Sequence, residues 1–561
     1  MVIFYWGASV VEKQQESITS WVSLEVGYPI EIAEIKLSWM DISPQLEFKT
    51  IKVMAKDNSA ELLSLETLYL DLNVFSSLWF TNFMLDEVTA IGLNLTVARD
   101  SNGEFYLQGL KQDSNSTTLF SDIIKHANKL NSLTLRAITV NYDDQQQVNF
   151  SGRYQIERAT LIHSATSWHA DGQVFLPTSL GDNFEFSTNW RLNQQNTKVM
   201  TWQGTLKTNN VFISHLSPYL NWNNITLAKG LINSIITVEG LGPEVREAKL
   251  DIELSQAMLA SKEMGDVLKP IDVEYFKGNF HWKDQEMGDS WLFSGNNINL
   301  SIKGEVWPET SLTVIKKPEE VMIKSDFFRI EQLLDVAALS GRLSEQILLQ
   351  NPAGDIEKLE MTYLIESGLK YASLYLRKGQ ITSWSDYPGI TNLYANINFY
   401  EEVARVKIAS KKVTIHPANK FDALMFFDAI TGVLEFEKKD KAWRVQSHNL
   451  KVKNDELTLE FNGSIEQNTA GEIINDIELS FENVAITRWQ SYFPEKHLSA
   501  EFKEWSKDAF LGGEIEYGEI KLKGDIAGFP YKTKSEKLLG SFDMALEVKD
   551  VVLHYSDYWP D

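Results

Sequence analysis

Apolar and polar residues alternate with a period of two along most of the chain. The alternation is strict in several stretches: Leu68, Leu70 and Leu72; Ile91, Leu93, Leu95 and Val97; Ile298, Leu300 and Ile302; Leu457, Leu459 and Phe461; Ile477, Leu479 and Phe481; and Phe542, Met544, Leu546 and Val548. Such a pattern gives a strand one apolar and one polar face, and it is typical of antiparallel sheets with one solvated side. We therefore predict a mainly β protein.

Glycine recurs near the predicted strand ends, with apolar residues two and four positions before it, at Gly152, Gly240, Gly295, Gly304, Gly463 and Gly524. A glycine in this position ends a strand or relaxes a bend in a curved sheet. The copies are irregularly spaced, so the chain lacks the fixed period of a solenoid. This favours a long, curled antiparallel sheet that forms an elongated open hydrophobic groove. An array of separate β-sandwiches would also give alternating strands.

Helical periodicity is confined to short segments. The clearest begins at Asp326, a candidate N-cap, and continues with apolar residues at helical spacing to Leu339. Gly512 and Gly513 are expected to end a later helix. The complete set of predicted helices covers residues 12–26, 121–130, 326–339, 344–349 and 500–510.

The first eleven residues, from Met1 to Val11, are apolar and uncharged. They are too few to span a bilayer, which needs about 20 residues. They also lack the basic region and the cleavage site of a signal peptide. We interpret this segment as the last part of a transmembrane or signal-anchor helix whose beginning is missing. An ordinary buried segment is the alternative.

The composition narrows the classes of partner. Asp and Glu number 77 against 53 Lys and Arg, which gives a formal net charge of −24 at pH 7. A surface of this charge repels nucleic-acid phosphates and favours a soluble monomer, so no nucleic-acid partner is expected. The chain has no cysteine, which excludes disulfides and thiolate chemistry and suits an oxidising compartment.

Motifs for catalysis or cofactor binding are missing from the sequence. There is no phosphate-binding P-loop and no nucleophile elbow, and Val245 occupies the third glycine position of the dinucleotide-like start at Gly240 and Gly242. None of the nine histidines forms an H-E-x-x-H motif or an i, i+4 pair. We therefore predict a non-enzymatic protein without catalytic residues, metal or cofactor.

Two groups of residues carry a resemblance to a known family. The first comprises Gly27, Pro29, Ile30, Trp39, Pro44 and Leu46, followed by Leu95, Val97, Arg99, Asp100 and Gly103. The second comprises Tyr492, Phe493, Pro494, Gly512, Gly513, Gly518, Leu522, Gly524, Phe529, Pro530, Tyr531, Gly540, Phe542, Trp559 and Pro560. In this order they resemble the YhdP family of the AsmA/TamB superfamily. The resemblance covers most of the chain, although residues 140–320 share only the general strand pattern and none of these motif residues.

The resemblance implies an N-terminal and central fragment of a larger periplasmic protein. Residues 1–25 would be a truncated inner-membrane anchor with a membrane-proximal helix, and residues 26–325 an N-terminal AsmA-like β-groove region. Residues 326–561 would be a YhdP-like central β region, with helices near 326–350 and 500–510 and an incomplete C-terminus. The resemblance further implies transport of phospholipids between the two membranes, with the outer membrane contacted by a missing C-terminal part.

The physics of the pattern agrees with a lipid groove. A long sheet with one apolar side must bury that side, and acyl chains in a curled groove can do this. The candidates for lining the groove are Leu68, Leu70, Leu72, Ile91, Leu93, Leu95, Val97, Leu300, Ile302, Leu459, Phe461, Leu479 and Phe481. From the residues alone, two other classes stay open: a structural or adhesive β-sandwich array that binds a protein or glycan partner, and a β-rich glycosidase.

Overall fold

The computed structural model of the chain contains strands with a few short helices. It describes residues 14–26, 28–40, 43–55, 61–72, 85–107, 131–192, 200–217, 224–261, 269–285, 288–341, 343–385, 387–417, 424–439, 442–469, 471–488, 505, 509–525, 531 and 540–554.

Three α-helices lie in this part of the chain: α1 (Gln15–Val26), α2 (Ile330–Leu339) and α3 (Glu345–Gln350). The strands up to the first 3₁₀ turn (Val148–Phe150) are β1 (Ile30–Met40), β2 (Ser43–Met54), β3 (Glu61–Leu72), β4 (Leu85–Ile91), β5 (Asn94–Arg99), β6 (Phe105–Leu107) and β7 (Ser132–Asp144). Those that follow, with a second 3₁₀ turn (Ile213–His215) after β11, are β8 (Gly152–Ser164), β9 (Ser167–Phe175), β10 (Asn183–Leu192), β11 (Met200–Phe212), β12 (Ile225–Leu241), β13 (Glu244–Ser261) and β14 (Ile271–Asp284).

The remaining strands are β15 (Trp291–Ile302), β16 (Glu305–Val306), β17 (Thr310–Lys316), β18 (Glu320–Arg329), β19 (Ala353–Leu364), β20 (Gly368–Ile381), β21 (Gly389–Tyr400), β22 (Val403–His416), β23 (Met425–Lys439), β24 (Ala442–Lys453), β25 (Thr458–Gln467), β26 (Ile473–Ala485), β27 (Phe510–Asp525) and β28 (Gly540–Leu553). The chain divides into two compact units. The first contains residues up to Asp284 with 298–306, and the second contains residues 285–297 with Trp307 onward.

In the first unit, most strands pair antiparallel with their neighbours in chain order, from β1 to β4 and from β7 to β14. The predicted antiparallel sheet is confirmed for most strand pairs, with one local exception. Strands β4 and β5 both run parallel to β7, end to end along it. The chain makes an excursion through β6 and residues 108–130 before it returns as β7, and parallel neighbours require such a crossover.

The second unit is a meander in chain order. Each strand from β17 to β28 pairs antiparallel with the next. Consecutive strands alternate in direction, so their connections fall on two edges of the sheet. Turns 317–319, 365–367 and 401–402 lie on one edge, which we call the hairpin edge. Helices α2 and α3 connect β18 to β19 on the opposite edge, the helix edge.

Within the first unit, a hairpin edge and a helix edge can be defined in the same way. Short turns at 165–166 and 242–243 define its hairpin edge. Its helix edge carries both 3₁₀ turns and α1, which precedes β1. The side-chain amide of Gln15 donates to the carbonyls of Ile32 at 2.9 Å and Ala33 at 3.1 Å, and Ile18 packs against the core cluster around Ile35. These contacts hold α1 against the first strand.

The helix predicted from Asp326 begins later than expected. Strand β18 continues through Asp326 to Arg329, because Phe327, Phe328 and Arg329 keep their ladder with β19. Helix α2 then starts at Ile330, where buried Gln332 accepts a hydrogen bond from the indole of Trp307. Pairing with a neighbouring strand has therefore overridden a local capping signal.

The other predicted helices differ in outcome. The helices over 12–26 and 344–349 are confirmed as α1 and as α3, whose N-cap Ser344 accepts from the backbone amide of Ile347. Residues 121–130 and most of 500–510 lie outside the described residues. Phe510 already begins β27, and the glycines expected to stop the last helix, Gly512 and Gly513, lie inside that strand.

Most long strands contain one residue in a left-handed conformation, on the side nearer the helix edge. Where the register shifts between β23 and β24, Gly432 has φ 146° and Asn449 has φ 49°. Such bulges bend a strand and increase its twist. Together these positions form a bend line: Thr50, Ala137, Asn210, Gly230 and Gln256 in the first unit, and Lys358, Lys378, Asn392, Lys412, Gly432, Asn449, Gly463, Asn483, Gly513 and Asp550 in the second.

The fully buried core follows the bend line. In the second unit, one buried cluster comprises Ala395, Ile408, Val413, Phe427 and Ile430. Ile408 and Val413 flank Lys412, and Phe427 and Ile430 come shortly before Gly432. In the first unit, a cluster around Phe48 and Ile51 brackets Thr50 in the same way. The most completely buried apolar side chains of these strands therefore lie close to the left-handed residues.

Gly432 gives a direct test of the bend. A Cβ atom at this position would lie 2.6 Å from the Cα of Leu450 and 2.7 Å from the carbonyl oxygen of Asn449. We expect Gly432→Ala to lower the free energy of unfolding of the second unit by roughly 1–3 kcal/mol, because the φ is unfavourable for a residue with a side chain. Urea denaturation, with hydrogen exchange of β23 and β24, measures the loss.

The matched control is Gly512→Ala in β27 of the same unit. Gly512 has no positive φ, and its Cβ would meet nothing within 4 Å. The control should change stability by less than about 0.5 kcal/mol. Equal denaturation midpoints for the two variants would show that the bend at Gly432 is not constrained.

Candidate functional site

Cross-strand register sorts the side chains of the first unit onto two faces, because directly paired residues lie on the same face. One row of paired positions crosses β1–β4 and β7–β14 and is entirely apolar or glycine: Ile35, Phe48, Leu68, Ala90, Leu135, Ala159, Gly172, Phe186, Leu206, Ile236, Leu250 and Phe280. We call the side of the sheet that carries this row the apolar face.

The positions one residue away point to the other side of the same strands. They form an unbroken polar row: Lys36, Glu47, Tyr69, Thr89, Thr134, Thr160, Asp171, Ser187, Thr205, Thr237, Lys249 and His281. The charged side chains of this row therefore lie on the face opposite the apolar row. A carrier of apolar molecules needs this segregation.

The second unit repeats the arrangement. Its apolar row crosses β17–β25 and comprises Val314, Ile323, Met361, Ala372, Phe399, Ala404, Phe436, Val445 and Ile465. The neighbouring row on the opposite face is Thr313, Lys324, Glu360, Ser373, Asn398, Arg405, Glu435, Gln446 and Ser464. Ion pairs such as Lys324 to Glu360 at 3.1 Å join adjacent strands on this polar side.

The apolar rows are only half covered. From Leu135 to Phe280 in the first unit, every side chain of the row is neither fully buried nor fully exposed. In the second unit the row is similarly half-buried, and Phe436 is 44% exposed. A closed core would bury such residues almost completely. The protein therefore presents a long series of large apolar side chains that another apolar molecule could cover.

Two aromatic rings pack over glycines of the neighbouring strand. A Cβ atom at Gly172 would lie 2.8 Å from the ring of Phe186, and a Cβ atom at Gly518 would collide with the ring of Phe481. These glycines therefore leave room for the rings.

Three tryptophans mark the hairpin edge of the first unit. Trp168, Trp190 and Trp202 are directly paired across β9, β10 and β11. Each lies four residues along its strand from the apolar row, and therefore on the same face. The indole nitrogen of Trp202 donates to the carbonyl of Gly242 at 2.8 Å. Tryptophan has an apolar body and one polar atom, which suits the boundary between an apolar surface and water.

The predicted groove residues of the N-terminal strands fall on different faces. Leu68 and Leu70 lie on the apolar face and pack against the cluster of Ile35 and Phe48. The side chain of Leu72 lies outside the described residues. Ile91 is a correction: it pairs with Thr67 and Arg136, so it lies on the polar face. Gly92 follows Ile91 with φ 73°, and this turn breaks the period-two pattern before β5 resumes.

The next three candidates lie on the apolar side. Leu93 packs against the first unit's core cluster. Leu95 pairs with Val140, and Val97 pairs with Tyr142, both on β7. Val140 pairs in turn with Tyr154 on β8, in line with the apolar face.

The later candidates fall into two groups. Ile302 is 5% exposed, and Leu300 is half-buried. Four of them are neighbours: Leu459 pairs with Phe481, and Phe461 pairs with Leu479, on β25 and β26. Leu459 and Phe481 also pack against buried Leu457 and Val484.

Sequence reasoning missed much of the apolar face. It did not select Phe186, Leu206, Leu250 or Phe280, nor the tryptophans at the hairpin edge. The alternation of Phe184, Phe186, Thr188 and Trp190 in β10 could have indicated them.

One polar cluster interrupts the apolar face of the first unit. The carboxylate of Asp144, which is 3% exposed, accepts from the Tyr142 hydroxyl at 2.8 Å and from the amides of Gln146 at 2.9 Å and Gln147 at 2.8 Å. Arg99 forms an ion pair with it at 3.6 Å. The cluster borders a cavity of 560 Å³.

Burial and hydrogen bonding perturb both titrating groups of the cluster. Burial, with the adjacent Asp144, raises the pKa of Tyr142 to about 12. Burial alone would raise the pKa of Asp144, but the hydrogen bonds from Tyr142, Gln147 and Gln146, with the charge of Arg99, outweigh it and lower that pKa. At neutral pH the cluster therefore holds a carboxylate, a guanidinium and a neutral phenol.

The described residues show little other site chemistry. They contain no group of three or more His, Asp or Glu side chains arranged to hold a metal ion. Among the same residues, none of the helices has the length and apolar character needed to cross a bilayer.

The depressed pKa of Asp144 predicts a pH dependence. Its ionised form stabilises the folded state at neutral pH, and this contribution is lost as pH falls below the unfolded value of about 4. Asp144→Asn should therefore lower the stability of the first unit by roughly 1–3 kcal/mol at pH 7 and by much less in acid. Urea denaturation of both proteins at the two pH values measures this difference, and a pH-independent difference would contradict the assignment.

Comparisons with known proteins agree with this architecture. The model of the family described as YhdP protein matches residues 1–561. The curated "Intermembrane phospholipid transporter YhdP" of Escherichia coli (strain K12) is 19% identical to the chain over 568 residues. The aligned region covers 95% of the chain and 42% of that protein, so the chain spans less than half the length of this relative. No solved structure matches the chain.

The family resemblance predicted from the sequence is thus confirmed. Because the family model matches the chain over its whole length, the chain belongs to the YhdP protein family.

Proposed function

We propose that this chain carries phospholipids between the inner and outer membranes, with acyl chains on its apolar face and head groups toward water. The single observation that supports this most is the half-buried apolar row beside an unbroken polar row in each unit. The similar Escherichia coli protein is named an intermembrane phospholipid transporter, and this likeness supports the same substrate class.

The energetics suit movement along the face. Each acyl CH₂ that leaves water contributes about 0.8 kcal/mol, without any directional contact. Successive rows offer similar apolar surface, so a lipid can shift from strand to strand without breaking a hydrogen bond. Tryptophans at the hairpin edge would mark the depth at which the glycerol backbone meets water.

The candidate lipid-contacting residues follow from the register. From the sequence prediction we retain Leu68, Leu70, Leu72, Leu93, Leu95, Val97, Leu300, Ile302, Leu459, Phe461, Leu479 and Phe481. To these we add Phe186, Leu206, Ile236, Leu250, Phe280, Phe436 and Val445. Ile91 is omitted because it pairs with Thr67 and Arg136.

The wider setting forms part of the proposal. The protein is periplasmic, and residues 1–25 attach it to the inner membrane. Regions present in longer relatives contact the outer membrane. We further propose a monomer that has no nucleic-acid partner and catalyses no reaction, with a groove region over 26–325 and a central β region over 326–561.

A charge on the apolar face tests the proposal. Leu206→Asp should lower the amount of co-purifying phospholipid by roughly ten-fold or more, because a carboxylate buried against acyl chains costs several kcal/mol. The measurement is native mass spectrometry of the purified chain with quantitative lipid extraction.

The matched control is Thr205→Asp, one residue away in β11. Thr205 lies on the polar face beside Ser187 and Thr237, so its substitution adds the same charge without touching the apolar face. Circular dichroism should show both variants folded. Equal lipid content in both variants, or no lipid on the parent chain, would refute the proposal.

A further inference from the structure

The cavity beside Arg99 has two chemically distinct parts. Val140, Ile156 and Val174 form an apolar floor, and cross-strand pairing places them on the apolar face of the first unit. Arg99 and Asp144 line the same cavity. A molecule that fills it would meet an acyl-compatible floor and one cation.

The guanidinium of Arg99 has two neighbours that position it, but one of its hydrogen-bond donors has no acceptor in the described part of the chain. It lies 3.6 Å from the carboxylate of Asp144 and 5.5 Å from the ring centre of Phe105. Its Nε atom is buried and has no hydrogen-bond partner among the described residues. A buried donor without a partner costs free energy and calls for an explanation, such as an acceptor supplied by a ligand.

Asp144 positions Arg99 but does not meet its need for acceptors. The oxygens of Asp144 already accept from Tyr142, Gln146 and Gln147, and its contact with Arg99 is longer than a hydrogen bond. The planar guanidinium therefore keeps donors that match an oxyanion.

The turn after Arg99 keeps this geometry fixed. Asp100 accepts from the amides of Asn102 at 2.8 Å and Glu104 at 2.9 Å. Gly103 has φ 88°, and a Cβ there would lie 3.5 Å from an Nη atom of Arg99. The Arg-Asp-x-x-Gly pattern of the sequence thus forms a hydrogen-bonded turn that lies directly beside the guanidinium.

We propose that Arg99 binds the phosphate of a phospholipid head group while the acyl chains lie on the floor formed by Val140, Ile156 and Val174. This site rests on the proposed lipid-carrying function and adds a fixed docking point to an otherwise non-directional surface. It selects phosphate-bearing lipids over neutral ones with the same chains.

The test compares two lipids that differ only in the phosphate-containing head group. The purified chain is mixed in detergent with equal amounts of dioleoyl-phosphatidylglycerol and dioleoylglycerol, and bound lipids are counted by native mass spectrometry. The parent chain should prefer the phospholipid by about ten-fold, as expected for one charge-assisted interaction. Arg99→Gln should reduce this preference to near unity while total lipid binding persists.

Two variants complete the design. Arg158→Gln removes the same charge from an exposed position that pairs with Arg136 on the polar face, and it should keep the parent's preference. Arg99→Lys preserves the charge without the planar fork, so it should keep part of the preference even if Arg99→Gln folds poorly.

Each remaining outcome has a defined meaning. A folded Arg99→Gln variant with the parent's preference overturns the site but leaves the lipid-carrying function standing. A parent chain that binds neither lipid overturns both. If the parent chain binds both lipids equally but binds inorganic phosphate in a manner that Arg99→Gln abolishes, Arg99 is assigned to soluble phosphate and the head-group site is overturned.

Discussion

The register of strand pairing is the constraint on which the rest of this protein depends. Each paired position shares its face with its partners, so one row of apolar residues and one row of polar residues continue from strand to strand. A slip of one residue between any two strands would turn every side chain of the following strand to the wrong face. The hydrogen-bonded ladder therefore determines where lipid could lie, although it contributes no side chain to that surface.

The bend line adds a second level of organisation. Left-handed residues such as Asn449 and Gly432 interrupt the regular strands, and the fully buried clusters lie close to them. Toward the hairpin edge the same strands keep half-exposed leucine and phenylalanine side chains. A stable core and an apolar surface for a ligand are thus formed by different segments of the same strands. The residues that stabilise the fold by burial are therefore not the ones left exposed for a ligand.

Arg99 and Asp144 show how a mostly non-directional surface can include a specific point. Elsewhere the apolar face offers only area, which binds acyl chains without choosing a head group. At this cluster, Tyr142 and two backbone amides hold the carboxylate, the carboxylate holds the guanidinium, and the guanidinium has donors left for an oxyanion. The turn at Asp100 and Gly103 keeps that arrangement in place.

The sequence by itself determined the strand-rich fold and the family, because period-two alternation and ordered motifs are local properties of the chain. It misled at Asp326, where a ladder with β19 outweighed a capping signal, and at Ile91, where the turn at Gly92 reversed the expected face. Only the tertiary structure decided that β4 and β5 run parallel to β7, that Trp168, Trp190 and Trp202 stand side by side, and that Arg99 meets Asp144. These features depend on which strands become neighbours and in which register, and that pairing is set by contacts between residues far apart in the sequence.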